Sequence, residues 1–484
     1  MMDKFYNELD KRILGEVYKS TETMNNLIVL CDEYGSRWPG SGDDKAACKY
    51  MVGKLEEYGL ENSHMEKFTH PGWIRGTSTL IVKEPIEKEI SCIALPMSCE
   101  GEVEAELIFL DDGPVDCYEE RQDEIEGKIV MVTSRTPLGM TRNLHRVEKY
   151  QRSVMAGAVG WIFMNHYPTY GPPTGGISPI IPAVGVSYEE GHYLVRLLKH
   201  KDRVKLRLET QCRNLDVDTW NVVADLPGTN DSDEFLVYGA HYEGHDIAVG
   251  ALDDASGAVC VMEVARILVK EKEHLERSMK FILFGAEEIG LFGSWAYVKQ
   301  HPEEMEHIRF MLNLDAAGRG GRQGFQLHGW PDLVPFFREI ENVIGVDIPI
   351  WQKVSPYSDH WPFLLEGIPT ATMGDPEEDE KRGGRGFGHT VHDTVDKVNL
   401  RTIRECIANS ALAAVRIVNT DDWPVKHRSQ NEIDKLVEEQ GYKETGALGE
   451  KLKKYLFTKK DQLRPEAKAY LKRLIEDSGW KEII

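Results

Sequence analysis

Between residues 235 and 374 the chain alternates short apolar runs with amphipathic stretches, and three of the four runs lead into a residue able to bind a metal or move a proton. "FLVYGAH" (235–241) ends in His241, "MKFILFGAEE" (279–288) in Glu287 and Glu288, and "RFMLNLDAAG" (309–318) carries Asp315. "GAVCVMEVARILVKE" (257–271) has the period of a helix, and "GIPTATMG" (367–374) reads as a fourth strand. Such alternation predicts an α/β fold: a mainly parallel central sheet covered by helices on both faces. In open α/β sheets, ligands gather at the carboxyl ends of the strands, where loops converge. The polar residues therefore stand where a site would form.

Taken singly, each has an ordinary explanation. A lone histidine is usually a core or surface residue, and the "DD" of Asp253 and Asp254 before a helix is a common N-cap. Their succession at strand ends is harder to dismiss, and "GHTVHDTVD" adds His389 and His392. Imidazole and carboxylate are donors that Zn²⁺ accepts, and Mn²⁺ or Co²⁺ would fit them too. One Zn²⁺ is satisfied by about three protein ligands and a water. The donor set here exceeds that, which predicts two divalent ions sharing a carboxylate. Adjacent side chains point in different directions, so one of Glu287 and Glu288 can bind a metal while the other moves protons. Spacing alone leaves open which does which.

At 484 residues the chain is too long for one simple core. Residues 86–215 carry short β-like runs and read as a small β-rich domain inserted between 1–85 and 216–420, which together form the α/β domain. Residues 421–484 read as a charge-rich helical extension, packing on the core or on a second subunit of a homo-oligomer. The segment 375–388 reads as a mobile loop that could close over substrate. A net charge of −22 argues against nucleic acid and anionic membrane surfaces as partners. No apolar run suits a bilayer span or a signal peptide. The eight cysteines are scattered without a C-x-x-C pair, as expected of free thiols in a reducing cytoplasm.

Five strings, "GAHYEGHD", "GALDDASGA", "FGAEEIGLFGS", "NLDAAG" and "HTVHDTVDKV", together and in this order resemble the co-catalytic zinc peptidase family of bacterial leucyl-type aminopeptidases and plasma glutamate carboxypeptidase. "GKIVMVTSR", "MAGAVGWIFMN" and "IPAVGVSYEEG" resemble a protease-associated domain inserted into that fold. The resemblance implies that His241 and Asp315 hold one ion, that Glu288 and His389 hold the other, and that Asp253 bridges them. It makes Glu287 the general base. Two positions depart from the family pattern. His241-Tyr242-Glu243 replaces His-x-Asp, which leaves Glu243 to orient the ligand histidine from behind. Gly388 stands where some relatives have a tyrosine, which leaves Tyr357 or His360 as candidate oxyanion donors. The implied activity is hydrolysis of peptide bonds by an exopeptidase, with aminopeptidase preferred. Carboxypeptidase or dipeptidase action is the alternative, with Arg319, Arg322, Arg382 and Arg385 as candidates to receive a carboxylate. A non-peptide amide hydrolase, a cyclotransferase and a non-catalytic binding protein follow in that order.

Overall fold

A run of alternating strands and helices can bury its apolar residues only by stacking them in layers, and the computed structural model shows how this chain does so. It describes residues 2–315, 317–376 and 386–476. The chain divides into two units: Met1–His70, Asp218–Gly388 and His392–Leu436 form one, and Pro71–Val217, His389–Val391 and Val437–Ile484 the other.

The strands of the first unit's sheet are β1 (Glu61–Ile74), β2 (Arg213–Leu226), β3 (Phe235–His241), β4 (Ser278–Phe284), β5 (Ile308–Asn313), β6 (Gly324–Leu327), β7 (Ile350–Gln352) and β8 (Thr370–Gly374). They lie in the order β1-β2-β4-β3-β5-β8-β6-β7. β4, β3, β5 and β8 run parallel. β2 is antiparallel to β4, and β6 to β8. The expected mainly parallel sheet is therefore corrected to a mixed one, with four parallel strands at its centre and a parallel pair, β6 and β7, at one edge. Parallel pairing requires a long crossover, usually a helix. β2 and β6 are each entered from the preceding strand without a helix, which periodicity does not reveal, and β7 follows the helix Val334–Ile344 and pairs in parallel with β6.

Burial follows from this placement. β4 is buried from Phe281 onward, β5 throughout, and β3 at every position after Phe235. The helix Ser256–Val269, α1, is buried on nearly all sides because it lies against the strands and the helix Leu400–Asn419, α2.

The divisions between the units fall within β1, after His70, and within β2, after Val217. No loop or change of composition marks a cut inside a strand, so texture alone places the first of them at residue 85 instead. The second unit has its own mixed sheet, antiparallel through Ser78–Glu84, Lys205–Thr210 and Gly101–Phe109. It is parallel through Gly101–Phe109, Ile129–Thr133, Gly160–Met164 and Ala183–Val186. One face packs on the helix Tyr188–His200 through Leu194 and Val195. The other packs Val130, Val132, Tyr150 and Trp161 against Leu452, Leu456, Ala467 and Leu471, from the helices Lys443–Thr458 and Pro465–Glu476. The chain's last helices thus complete the core of this unit. Leu456 is fully buried there, so Leu456→Ala is expected to cost about 2–5 kcal/mol. A shift of the urea midpoint that leaves the slope unchanged would register it.

The eight cysteines are free thiols, and no helix among the described residues is long and apolar enough to cross a membrane.

Candidate metal centre

β3 ends in His241, which is fully buried. Its Nδ1 lies 3.1 Å from the backbone oxygen of Glu243, an acceptor only, so Nδ1 carries a proton, and loss of any second proton would leave a lone pair at Nε2. Nε2 makes no hydrogen bond; it faces Asp253 Oδ1 at 3.3 Å and Glu287 Oε2 at 3.9 Å. The Glu243 carboxylate stands 3.6 Å from Nδ1 and accepts the backbone N–H of Glu288 at 3.2 Å. Glu243 thus orients the histidine chiefly through its own carbonyl, and its carboxylate ties His241 to the strand-end glutamates.

Asp253 and Asp254 sit just before α1. Their roles separate cleanly: Asp254 Oδ1 accepts the N–H of Gly257 at 2.8 Å and caps the helix, while Asp253 faces His241. A Cβ on Gly257 would lie 2.2 Å from the Leu314 carbonyl, so only glycine lets α1 approach the strand end this closely. The backbone N–H groups of Leu252 and Asp253 both donate to the Asp393 carboxylate, at 2.6 and 3.2 Å. Burial pushes Asp393 up to about 7, against the pull of these amides. Asp393 lies in "HTVHDTVD", but its part in holding the Asp253 backbone is not visible in the sequence.

Glu287 and Glu288 follow β4 in a turn that doubles back at once: Gly290 and Leu291 donate to the Glu287 carbonyl. The chain then enters the helix Phe292–Gln300. A Cβ on Gly285 would meet the Trp220 carbonyl at 2.6 Å, which keeps the turn pressed onto the sheet. Asp315 lies two residues beyond β5.

The ligand atoms of His241, Asp253 and Asp315 lie within 4.8 Å of one another, and so do those of His245, Glu288 and His389. His245 is absent from the sequence expectation; it stands four residues after His241, with Nε2 3.0 Å from Glu288 Oε2. Asp359, at the start of the helix His360–Leu365, was also missed. Burial pushes it up to about 7, opposed by His241 and Ser294 and reinforced by Glu243 and Asp315. Its neighbour His360 is turned to other partners: Nε2 meets the Ser355 carbonyl at 2.8 Å, and the ring stacks on His328 at 3.9 Å. Tyr357 is half-buried. The Arg322 backbone N–H donates to Asp375, and its side chain lies 3.6 Å from the same carboxylate. Arg382, Arg385 and most of the 375–388 loop lie outside the described residues.

The donor set fits divalent cations. Two atoms bonded to one Zn²⁺ at about 2.0–2.1 Å in tetrahedral geometry stand roughly 3.3 Å apart, and His241 Nε2 and Asp253 Oδ1 are separated by 3.3 Å. The electrostatics agree. Burial raises Glu287 well above the usual carboxylate range; His241 opposes this, and Glu288, Asp315 and Asp359 add to it. Burial would lower His241, yet Glu287, Asp253 and Glu243 raise it well above its ordinary value. So many buried carboxylates around one imidazole call for positive charge that these side chains do not supply.

Residues 221–414 match the model of peptidase family M28, and residues 103–194 match the PA domain. The α/β part of the chain thus resembles peptidase family M28. Among curated proteins, carboxypeptidase Q of Mus musculus is 24% identical over 446 residues, covering 86% of this chain and 90% of that one. Aminopeptidase YwaD of Bacillus subtilis is 25% identical over 402 residues, covering 80% and 82%. The fold recurs in the peptidase M28 precursor of Shewanella amazonensis, with TM-score 0.75, 23% identity and coverage of 88% and 99%. It recurs again in an aminopeptidase of Aneurinibacillus sp. strain AM-1, with TM-score 0.63, 22% identity and coverage of 87% and 97%. The chain therefore resembles proteins named for opposite ends of a peptide.

Proposed function

We propose that the protein is a cytoplasmic aminopeptidase that uses two divalent ions, Zn²⁺ by preference. His241, Asp253 and Asp315 would hold one ion and Glu288 and His389 the other, with Asp253 shared. When bound, such ions acidify water and polarise the scissile carbonyl. Glu287 Oε takes the proton of the attacking water and passes it to the departing amine nitrogen, which becomes basic as the C–N bond breaks. Glu243 fixes the ring of His241 and the backbone of Glu288, and Asp393 fixes the backbone of Asp253.

The observation that carries the choice of end is charge. Glu243, Asp253, Glu287, Glu288, Asp315 and Asp359 gather around His241 and the strand ends. Two divalent ions would leave this group still anionic, a setting that attracts a free α-ammonium and repels a free carboxylate. The likeness to carboxypeptidase Q favours a second reading, action at the carboxyl end or on dipeptides, with Arg319 as the cation to examine. The eight free cysteines support a reducing compartment.

One peptide in three forms, unblocked, N-acetylated and C-amidated, separates the readings by mass spectrometry. An aminopeptidase spares only the acetylated form, and a carboxypeptidase only the amidated one. A chelator is expected to stop cleavage in either case, and added Zn²⁺ to restore it. Cleavage that continued in fully metal-stripped protein would remove the ions from the reaction.

A further inference from the structure

His245 lies in the segment that leaves β3 after His241, and this segment is held on both sides. Arg37 donates to the carbonyls of Tyr242, at 2.5 Å, and Val249, at 2.9 Å, and the Gly244 N–H donates to the Ser36 carbonyl at 2.9 Å. The His245 ring is buried beside Trp38, with centroids 5.7 Å apart. Its Nε2 reaches Glu288 Oε2 at 3.0 Å, within the group that also contains His389. We propose that His245 is a direct ligand of the ion held by Glu288 and His389, so that the five-residue segment 241–245 sends one histidine to each ion. The inference rests on the two-ion reading above.

The consequence is an unequal pair of sites. Beside the shared Asp253, His245, Glu288 and His389 offer two imidazoles and one carboxylate, whereas His241 and Asp315 offer one imidazole and one carboxylate. Imidazole suits Zn²⁺ and similar ions, while carboxylate donors also suit Mn²⁺. The nitrogen-rich group is therefore the tighter site for Zn²⁺ or Co²⁺, and the oxygen-rich group is the one that Mn²⁺ enters. The competing role is a hydrogen bond that orients Glu288 from behind, since 3.0 Å also suits that. Partners behind a ligand still matter for metal affinity, by about 10–100-fold, so a weakened site alone would not decide between the roles.

The deciding experiment titrates metal-free protein with Co²⁺, followed by calorimetry and by visible absorption, in the parent, His245→Gln and His245→Asp. Glutamine keeps a group that can hydrogen-bond Glu288 but is a poor ligand, whereas aspartate restores a ligand oxygen. The parent is expected to bind two Co²⁺ in two unequal steps. His245→Gln should weaken the tighter step by about 100-fold or more, beyond what a supporting partner accounts for, and shift its absorption band. The other equivalent of Co²⁺ should remain, which shows that the variant is folded. His245→Asp should recover the second equivalent with an altered spectrum. A His245→Gln protein that binds two Co²⁺ with the parental spectrum overturns the proposal and leaves the peptidase reading intact. A parent that binds no Co²⁺ overturns both.

Discussion

Glu287→Gln is expected to lower kcat by about 10²–10⁴-fold, the contribution of a positioned general base. The content of bound ions should stay at the parental value. Glutamine keeps the shape of the side chain and most of its hydrogen bonding, and loses only the capacity to take a proton. Glu288→Gln is the matching control, because Glu288 belongs to a group whose donors converge within 4.8 Å. That change should reduce bound metal before it reduces anything else. Steady-state kinetics on an unblocked peptide, together with elemental analysis of the same samples, separate the two effects. A Glu287→Gln enzyme within tenfold of the parental kcat would remove Glu287 from proton transfer.

The largest loss of stability is expected at a residue that touches no ligand. Arg37 is completely buried, and its guanidinium donates to the carbonyls of Leu30, Gly35, Tyr242, Val249 and Gly250. These carbonyls belong to the segment 30–35 and to the loop between His241 and Asp253. Arg37→Met fills part of the volume and leaves the carbonyls without their donor. Each buried polar group so orphaned costs about 1–3 kcal/mol. Water entering the gap would relieve some of them, so the net loss is on the order of 3–5 kcal/mol. The test is chemical denaturation of metal-stripped protein, so that ion binding does not mask the change. A loss under about 1 kcal/mol would mean that the loop holds its shape without the arginine.

The arginine also shows what the sequence could and could not reveal. His241, Glu287, Glu288 and Asp315 were legible because strand ends are local features, and an apolar run halting at a charged residue is visible in one dimension. The central parallel strands were legible for the same reason, through their alternation with helices. Arg37, His245, Asp359 and Asp393 were not. Arg37 sits in a turn more than 200 residues before the carbonyls of Tyr242 and Gly250 that it binds. Asp393 acts on the backbone of residues 252 and 253 from 140 positions away. Asp359 and His360 are neighbours in sequence, and only the start of their helix decides which one faces the strand-end acids. The flanking antiparallel strands were missed because the direction of a strand is set by the path of its connection, and its residue pattern carries no record of that.

The closing helices of the second unit bear on the order in which the protein can be made. Val130, Val132 and Trp161 leave the ribosome well before residues that help to cover them, Leu452 to Leu471. Roughly 300 residues separate them, which at about 5–20 residues per second is some 15–60 s of synthesis. During that interval this face of the sheet has only part of its cover, from residues such as Tyr150 and Val154 of the helix Arg146–Met155, and the segment 218–436 must be translated before the rest arrives. A stop codon ahead of residue 452 would therefore open the core of a domain whose strands were made roughly 300 residues earlier.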